Sequence, residues 1–572
     1  MKKWPPQPTL EAPLLLDAVG GAVDYEGRPV LRSKSGGWRS ASFIIGVEVA
    51  ERFAYYGISC NLITYLTGPL GQSTATAAEN INAWSGMTLL LPLLGAFVAD
   101  SFLGRYRTIV IASLIYILGL GLLTLSAMLH SLSTSSDYLD TKIKLGSSNQ
   151  VQEIFFFVSL YIVAVGQGGH KPCVQAFGAD QFDGHHPEEC KAKSSFFNWW
   201  YFGVCAGSTV TAMIMSYIQD NLSWGLGFGI PCIVMVFALG VFLLGARTYR
   251  YSMKGKGKSP FLRIGRVFVA ALRNWRTTPS AVATEEEVGR ALPHHSYEQF
   301  KFLNKALVSL DGSQEEGDLC TVNEVEEAKA ALRLVPIWAT TLGYGVVFAQ
   351  TATFFTKQGS TMDRKIFPGF DIPAASLQAF GGLAMVLFIP VYDCIFVPIA
   401  RAFTRKSRGI TMLQRIGTGM FLSVICMVLA ALTEMKRLKT AQEYGLVDLP
   451  NVTIPMSIWW LVPQYVLSGI ADVFTMVGLQ EFFYDQVPVE LRSVGLALYL
   501  CTVGVGSFIS SFLVSIIEEA TGGDGRDSWF ADNLNKAHLD YFYLVLTGIS
   551  VVAFSAYMYF AKSYTYNRQN RS

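Results

Sequence analysis

Apolar stretches of about 20 residues, long enough to cross the hydrocarbon core of a bilayer as helix, recur along this chain and set its plan. They fall at roughly 43–67, 82–100, 107–129, 154–177, 195–218, 227–246, 333–356, 374–400, 411–433, 457–481, 493–517 and 541–561. One long polar stretch, residues 247–331, splits the series into six and six. It is basic at first (Lys254, Lys256, Lys258, Arg263, Arg266) and acidic later (Glu315, Glu316, Glu324, Glu326, Glu327). The pattern predicts an all-α membrane protein of twelve transmembrane helices in two six-helix bundles with a long cytoplasmic linker. The expected segments are an N-terminal tail over 1–40, a first bundle over 41–246, the linker over 247–331, a second bundle over 332–562 and a tail over 563–572.

Basic residues orient this plan, because short cytoplasmic loops carry an excess of Lys and Arg. Arg105 and Arg107 follow the second stretch, Arg401, Arg405, Lys406 and Arg408 follow the eighth, and Lys562, Arg568 and Arg571 lie at the end of the chain. All fall on the same side as the N-terminus, so both termini are expected in the cytosol. Stretches 68–81 and 219–226, on the other side, hold no Lys or Arg. Residues 434–456 fit less well, carrying Lys436, Arg437 and Lys439 beside acids.

The informative exception to apolarity is the run VEVAERFAYYG at 47–57. Glu48, Glu51 and Arg52 stand at i, i+3 and i+4 of the first stretch, on one helix face, where they can form a compact charge network. Ionisable groups at membrane depth are costly and mark substrate or proton pathways. Lys171 is a second cation in an apolar stretch, beside Gly166, Gly168 and Gly169, residues that let membrane helices approach closely. A carboxylate there feels burial and a nearby cation pulling its proton affinity in opposite directions, so Glu48 or Glu51 is expected to titrate against Lys171. The planar fork of Arg52 suits a carboxylate or nitrate, and Tyr55 and Tyr56 would add hydroxyls and a wall.

Composition narrows the rest. The chain is 51% hydrophobic and 15% charged with a net charge of +2, which suits a polytopic membrane protein and gives no basis for nucleic-acid binding. Nine cysteines are scattered without a CxxC pair or metal-ligand spacing, so neither disulfides nor structural zinc are expected. No nucleophile triad, phosphate loop or metal cluster supports an enzyme. No cofactor is implied beyond a proton gradient.

Four motifs carry a resemblance. VEVAERFAYYG resembles the ExxER element on the first helix of the proton-coupled oligopeptide transporter (POT/PTR) family. GAFVADSFLGRYRT at 95–108 resembles its loop between helices two and three, GQGGHKPCVQAFGADQF at 166–182 its fourth-helix signature, and FFNWWYFGVCAG at 196–207 its fifth-helix signature. QEFFYDQVP at 480–488 and the long linker are similar to the plant nitrate/peptide transporter branch. The resemblance implies the major facilitator fold, with a site near the midplane between the halves and access alternating by rocking. It also implies that Glu48, Glu51 and Lys171 carry proton coupling.

Further roles follow from the same resemblance. Asp472 stands in the tenth stretch where many members carry glutamate, and is a candidate substrate contact. Asp100 and Arg105 resemble a gating pair at a cytoplasmic hinge. Peptide-transporting members place asparagines where this chain has Cys205 and Gly381, which counts against peptides. A nitrate-transporting member has a histidine before Ala-Gln where this chain has Phe348 before Ala349 and Gln350. Phe348 and Gln350 are therefore taken as candidate substrate contacts. Trp199, Trp200 and Tyr201 are read as packing or cavity lining, and His170 as packing or a pH-sensitive group.

The function expected is a proton-coupled symporter of a small anionic or zwitterionic solute: nitrate, a plant hormone or metabolite, or a short peptide. The alternative is a solute sensor that transports little. Glu11 followed by Leu15 and Leu16 matches the spacing that sorting adaptors read, so the vacuole membrane stands beside the plasma membrane as location. Asn451-Val452-Thr453 is a candidate glycan acceptor on the non-cytoplasmic side.

Overall fold

The computed structural model describes residues 18–136, 145–183, 186–252, 260–274, 300–307, 320–368, 370–396, 398–399, 402, 410–486, 492–522 and 528–564. Glu11, Leu15 and Leu16 lie outside them.

Among the described residues, twelve helices form the body, beside shorter ones such as Pro260–Arg273: α1 (Gly37–Ser59), α2 (Thr74–Val98), α3 (Arg105–Ser136), α4 (Leu145–Ala179), α5 (Pro187–Asn221), α6 (Trp224–Leu244), α7 (Val322–Phe348), α8 (Gln378–Val391), α9 (Met412–Glu443), α10 (Val462–Asp485), α11 (Arg492–Thr521) and α12 (Leu539–Ser563). Ten are long and apolar enough to cross a membrane on composition alone. The exceptions are α1, which carries Glu48, Glu51 and Arg52, and α5, diluted by Asn198, Ser208, Thr209 and Thr211. The chain is an all-α membrane protein in its body.

Local chemistry starts several helices. Ser73 accepts the Thr76 amide at the start of α2. Thr321 with Glu324, and Thr411 with Gln414, form reciprocal capping boxes at α7 and α9. The first of these starts α7 at Val322, inside the stretch read as linker. A π turn closes α2 (Ala99–Leu103) and another closes α8 (Tyr392–Phe396). These are corresponding places in the first and last six helices, and such turns often mark functional bends.

Glycines set the closest crossings. A Cβ on Gly95 of α2 would lie 2.1 Å from the Gly168 carbonyl of α4, and one on Gly166 would lie 2.6 Å from the Tyr116 amide of α3. Only backbone-to-backbone contact fits there.

The first and last six helices meet most tightly at the side of the molecule opposite the termini, hereafter the far side. Asn82 of α2 donates to Ser510 Oγ of α11 at 3.1 Å, and Gln378 Nε2 donates to the Cys60 carbonyl at 2.8 Å. Gly86 and Gly504 let α2 and α11 touch. Lys357 Nζ donates to Thr67 Oγ1 at 3.0 Å, and the Thr74 amide donates to Asp532 Oδ1 at 3.0 Å. Asp532 thus sits at the N-terminus of α2 from across the interface, where a carboxylate is favoured.

At the terminus side the N-terminal segment is more than a tail. Strands β1 (Ala18–Val23) and β2 (Pro29–Leu31) form an antiparallel hairpin, and β3 (Tyr251–Ser252), after α6, pairs with β1. Arg32 bridges Asp183 at 2.7 Å and Glu189 at 3.0 Å, and Arg250 bridges Glu189 at 2.7 Å while donating to the Ser35 carbonyl. Burial pushes the Glu189 carboxyl up, but hydrogen bonds from Arg250 and the Asp183 amide, with the charges of both arginines, outweigh it and hold it below its ordinary value.

Candidate functional site

Glu48, Glu51 and Arg52 are 2%, 0% and 6% exposed, on the face of α1 that the i, i+3, i+4 spacing predicts. Arg52 Nε and Nη2 each lie 2.8 Å from Glu48 Oε1, and Nε lies 3.2 Å from Glu51 Oε2. One guanidinium therefore holds two carboxylates. Lys171 of α4 is half-buried, and its charge acts on Glu48, with Glu51 and Arg52 also in range. Two acids and two cations balance, which makes the cluster tolerable inside the bundle.

The charge network allowed by the spacing is centred on Arg52. The ion-pair contacts of Glu48 and Glu51 run to Arg52, not Lys171. The reason is local: Arg52 is on the same helix one turn on, and its fork reaches both acids, whereas Lys171 must approach from α4. It does come near, because Gly166, Gly168 and Gly169 bring α4 against α2 and α3.

The last six helices supply a second polar centre. Asp472 of α10 is buried and accepts a hydrogen bond from the Tyr344 hydroxyl of α7. Tyr499 of α11 lies within electrostatic range of both Asp472 and Arg52. The acid of one half and the arginine of the other thus face a common interior region. Neither tyrosine stood out in the sequence, since a phenol in an apolar span gives no sign of which way it faces.

Other candidates scatter. Tyr55 stacks on Trp84 with ring centroids 5.6 Å apart and meets Tyr56 edge-on, while Tyr56 packs against Cys60, Ala212 and Ala379. Phe348 is half-buried at the end of α7. Gln350 is wholly buried, and its amide donates to the Val346 carbonyl at 2.8 Å and Ser510 Oγ at 3.0 Å. In this state it belongs to the far-side closure rather than a cavity wall. Arg105 pairs with Asp180 of the α4 end at 2.5 Å. Asp100 lies in the π turn that closes α2, and its side chain is outside the described ones. Trp200 is buried against Phe196, whereas Trp199 is exposed.

The chain matches the POT family profile PTR2 over residues 106–530. It is 64% identical over 550 residues to protein NRT1/PTR FAMILY 5.10 of Arabidopsis thaliana, covering 96% of this chain and 97% of that one. The chain belongs to the POT family.

A second POT-family relative, NRT1/PTR FAMILY 5.14 of the same plant, is 56% identical and covers 98% of this chain and 99% of its own. The crystal structure of an auto-inhibited POT family peptide transporter superposes with a TM-score of 0.71 at 23% identity, covering 93% of this chain and 99% of the other. That likeness shows the major facilitator fold. POT family proteins are membrane transporters, not enzymes.

Proposed function

We propose that this POT-family chain is a proton-coupled symporter of a small anionic or zwitterionic solute, working by alternating access, with both termini in the cytosol. The observation that supports it most is the buried Glu48–Arg52–Glu51 triad. While both carboxylates are ionised they occupy the Arg52 fork. A proton arriving on one of them removes a charge and a hydrogen-bond acceptor from that fork. The freed donors then take the carboxylate or nitrate end of a solute. By linkage, solute bound at Arg52 raises proton affinity by the same factor that protonation raises solute affinity. Lys171 adds positive charge that draws the solute's anionic end and steadies the remaining carboxylate.

Asp472, held by Tyr344 on the opposite wall, would receive an ammonium group, which suits a zwitterion. A purely anionic solute would use Arg52 and Lys171 alone, so nitrate, a hormone or metabolite, and a short peptide remain the classes to test. Far-side contacts join the two halves in this structure, and with the termini in the cytosol, as proposed, that state would open toward the cytosol.

The test is expression in oocytes with surface level verified and currents recorded at about pH 5.5 and about pH 7.5, either side of the histidine range. Nitrate, dipeptides and plant hormones are supplied in turn. A solute-dependent inward current that grows at acid pH supports the reading. Binding without current favours a sensor. Internal retention points to Glu11, Leu15 and Leu16 as an address for the vacuole membrane.

A further inference from the structure

Beside the charge network lies a group of polar side chains that the scheme above does not use. His170 and Gln167 stand at i and i−3 on one face of α4 and are wholly buried. All four of their side-chain nitrogen and oxygen atoms are without a hydrogen-bond partner among the described residues. The Tyr116 hydroxyl and Glu51 Oε1 are likewise without one, and Glu51 Oε2 has the 3.2 Å ion pair to Arg52 Nε in place of a hydrogen bond. A buried polar atom without a partner is costly, and native structures hold few of them. Their concentration around one carboxylate therefore calls for a function.

The surroundings define what that is. Glu51 and Arg52 of α1 lie within electrostatic range of His170, and Glu51 and Glu48 lie within range of Tyr116 on α3. Lys171 is next along α4. α2 packs on the neighbouring Gly168 through Leu91 and Gly95, neither ionisable. Among the described residues no carboxylate is hydrogen-bonded to the imidazole, and Glu51 is paired with Arg52. A neutral imidazole has one ring nitrogen that accepts and one N–H that donates. It can accept a hydrogen bond from a carboxylic acid, and the Gln167 carbonyl one turn back is an acceptor for the N–H.

We propose that His170 is a positioning residue for proton binding. When Glu51 takes a proton from solution, its carboxyl turns from Arg52 and its new O–H donates to the His170 ring nitrogen. The proton stays on Glu51, and the imidazole stays neutral. The neutral acid thus gains a partner in the interior while Arg52 is released toward the solute. This rests on the proton-coupling reading above, and deepens it by assigning where the protonated acid goes.

The experiment is proton-driven uptake by full-length protein in proteoliposomes, measured as a function of pH for wild type, His170→Ala and His170→Gln. Loss of the acceptor shifts the half-maximal pH of uptake in His170→Ala toward acid by about one unit, the worth of one such hydrogen bond. His170→Gln, which keeps an acceptor, recovers part of the shift, and the solute KM at saturating acidity stays unchanged in both. An unchanged midpoint overturns the proposal. A shift toward alkaline pH also overturns it, since the imidazole would then have been donating to the ionised acid. Should His170→Ala not reach the membrane, His170→Met, closer in volume, is read the same way. If wild-type uptake is itself independent of pH, the proton-coupling reading fails and takes this proposal with it.

Discussion

At the residue scale the account turns on what a guanidinium does that an ammonium cannot. Arg52 binds two carboxylates at 2.8 and 3.2 Å, and Arg52→Lys keeps the charge but loses the fork. Transport by Arg52→Lys at normal surface level should fall about ten- to a hundredfold, the worth of one charge-assisted hydrogen bond. Transport within twofold of wild type would sink the role given to the fork. Glu48, Glu51, Arg52 and Lys171 were legible in the sequence because an ionisable group in an apolar helix has no ordinary explanation. For Gln350 no direction was legible, because a buried amide looks the same in sequence whether it faces a cavity or, as here, Ser510 of a neighbouring helix. Tyr344 and Tyr499 were missed for the same reason: polarity in a span is visible, but direction is not.

At the scale of elements, helix contacts and the terminus-side sheet make separate predictions. A methyl on Gly95 would collide with the Gly168 backbone, whereas one on Gly46 meets nothing within 4 Å. Gly95→Ala should therefore lower the melting temperature in detergent, with an overpacking cost of about 1–3 kcal/mol, while Gly46→Ala should not. Equal behaviour of the two would contradict the crossing described here. The sheet is fastened by Glu189, whose carboxyl is held below its ordinary 4.5. A depressed carboxyl stabilises fully above its unfolded value and fades as pH falls through the folded one. Protection of the β1–β2 hairpin from hydrogen exchange should thus be equal at about pH 7.5 and about pH 5.5, and lost on further acidification. Glu189→Gln should remove that pH dependence.

That sheet was not legible, since strands of six, three and two residues are too short to show a period of two. Helix α9 corrects a different expectation. It runs on to Glu443, with Arg437 buried against Glu434 at 2.6 Å, Lys436 over the Trp460 ring and Lys439 near Glu443. The three cations that broke the charge rule are each matched locally. Glu434→Ala would strand a buried charge and cost about 3–5 kcal/mol, visible as a large fall in melting temperature.

At the scale of the whole molecule, alternation requires the far side to open. The bonds of Asp532 and Lys357, with those of Asn82 and Gln378, cross the two halves there and would have to break in the proposed alternation. Asp532→Ala removes a bond worth about 1 kcal/mol, so the population open at the far side should rise a few-fold. Spin-label distances between the far-side ends of α2 and α11 would report it, and an unchanged distribution would place the gate elsewhere. The twelve-helix plan was readable from hydropathy alone because a bilayer imposes helix length. Which residues pair across the two halves was not, because hydropathy marks burial and not the partner.

The central claim is that protonation of the α1 acids frees Arg52 for solute, and the pH dependence of solute-driven current tests it most directly. Wild type should give an inward current that grows from about pH 7.5 to about pH 5.5. Glu48→Gln with Glu51→Gln, mimicking the protonated pair, should bind solute without moving protons and lose the pH dependence. A double variant that still transports with wild-type pH dependence would contradict the account.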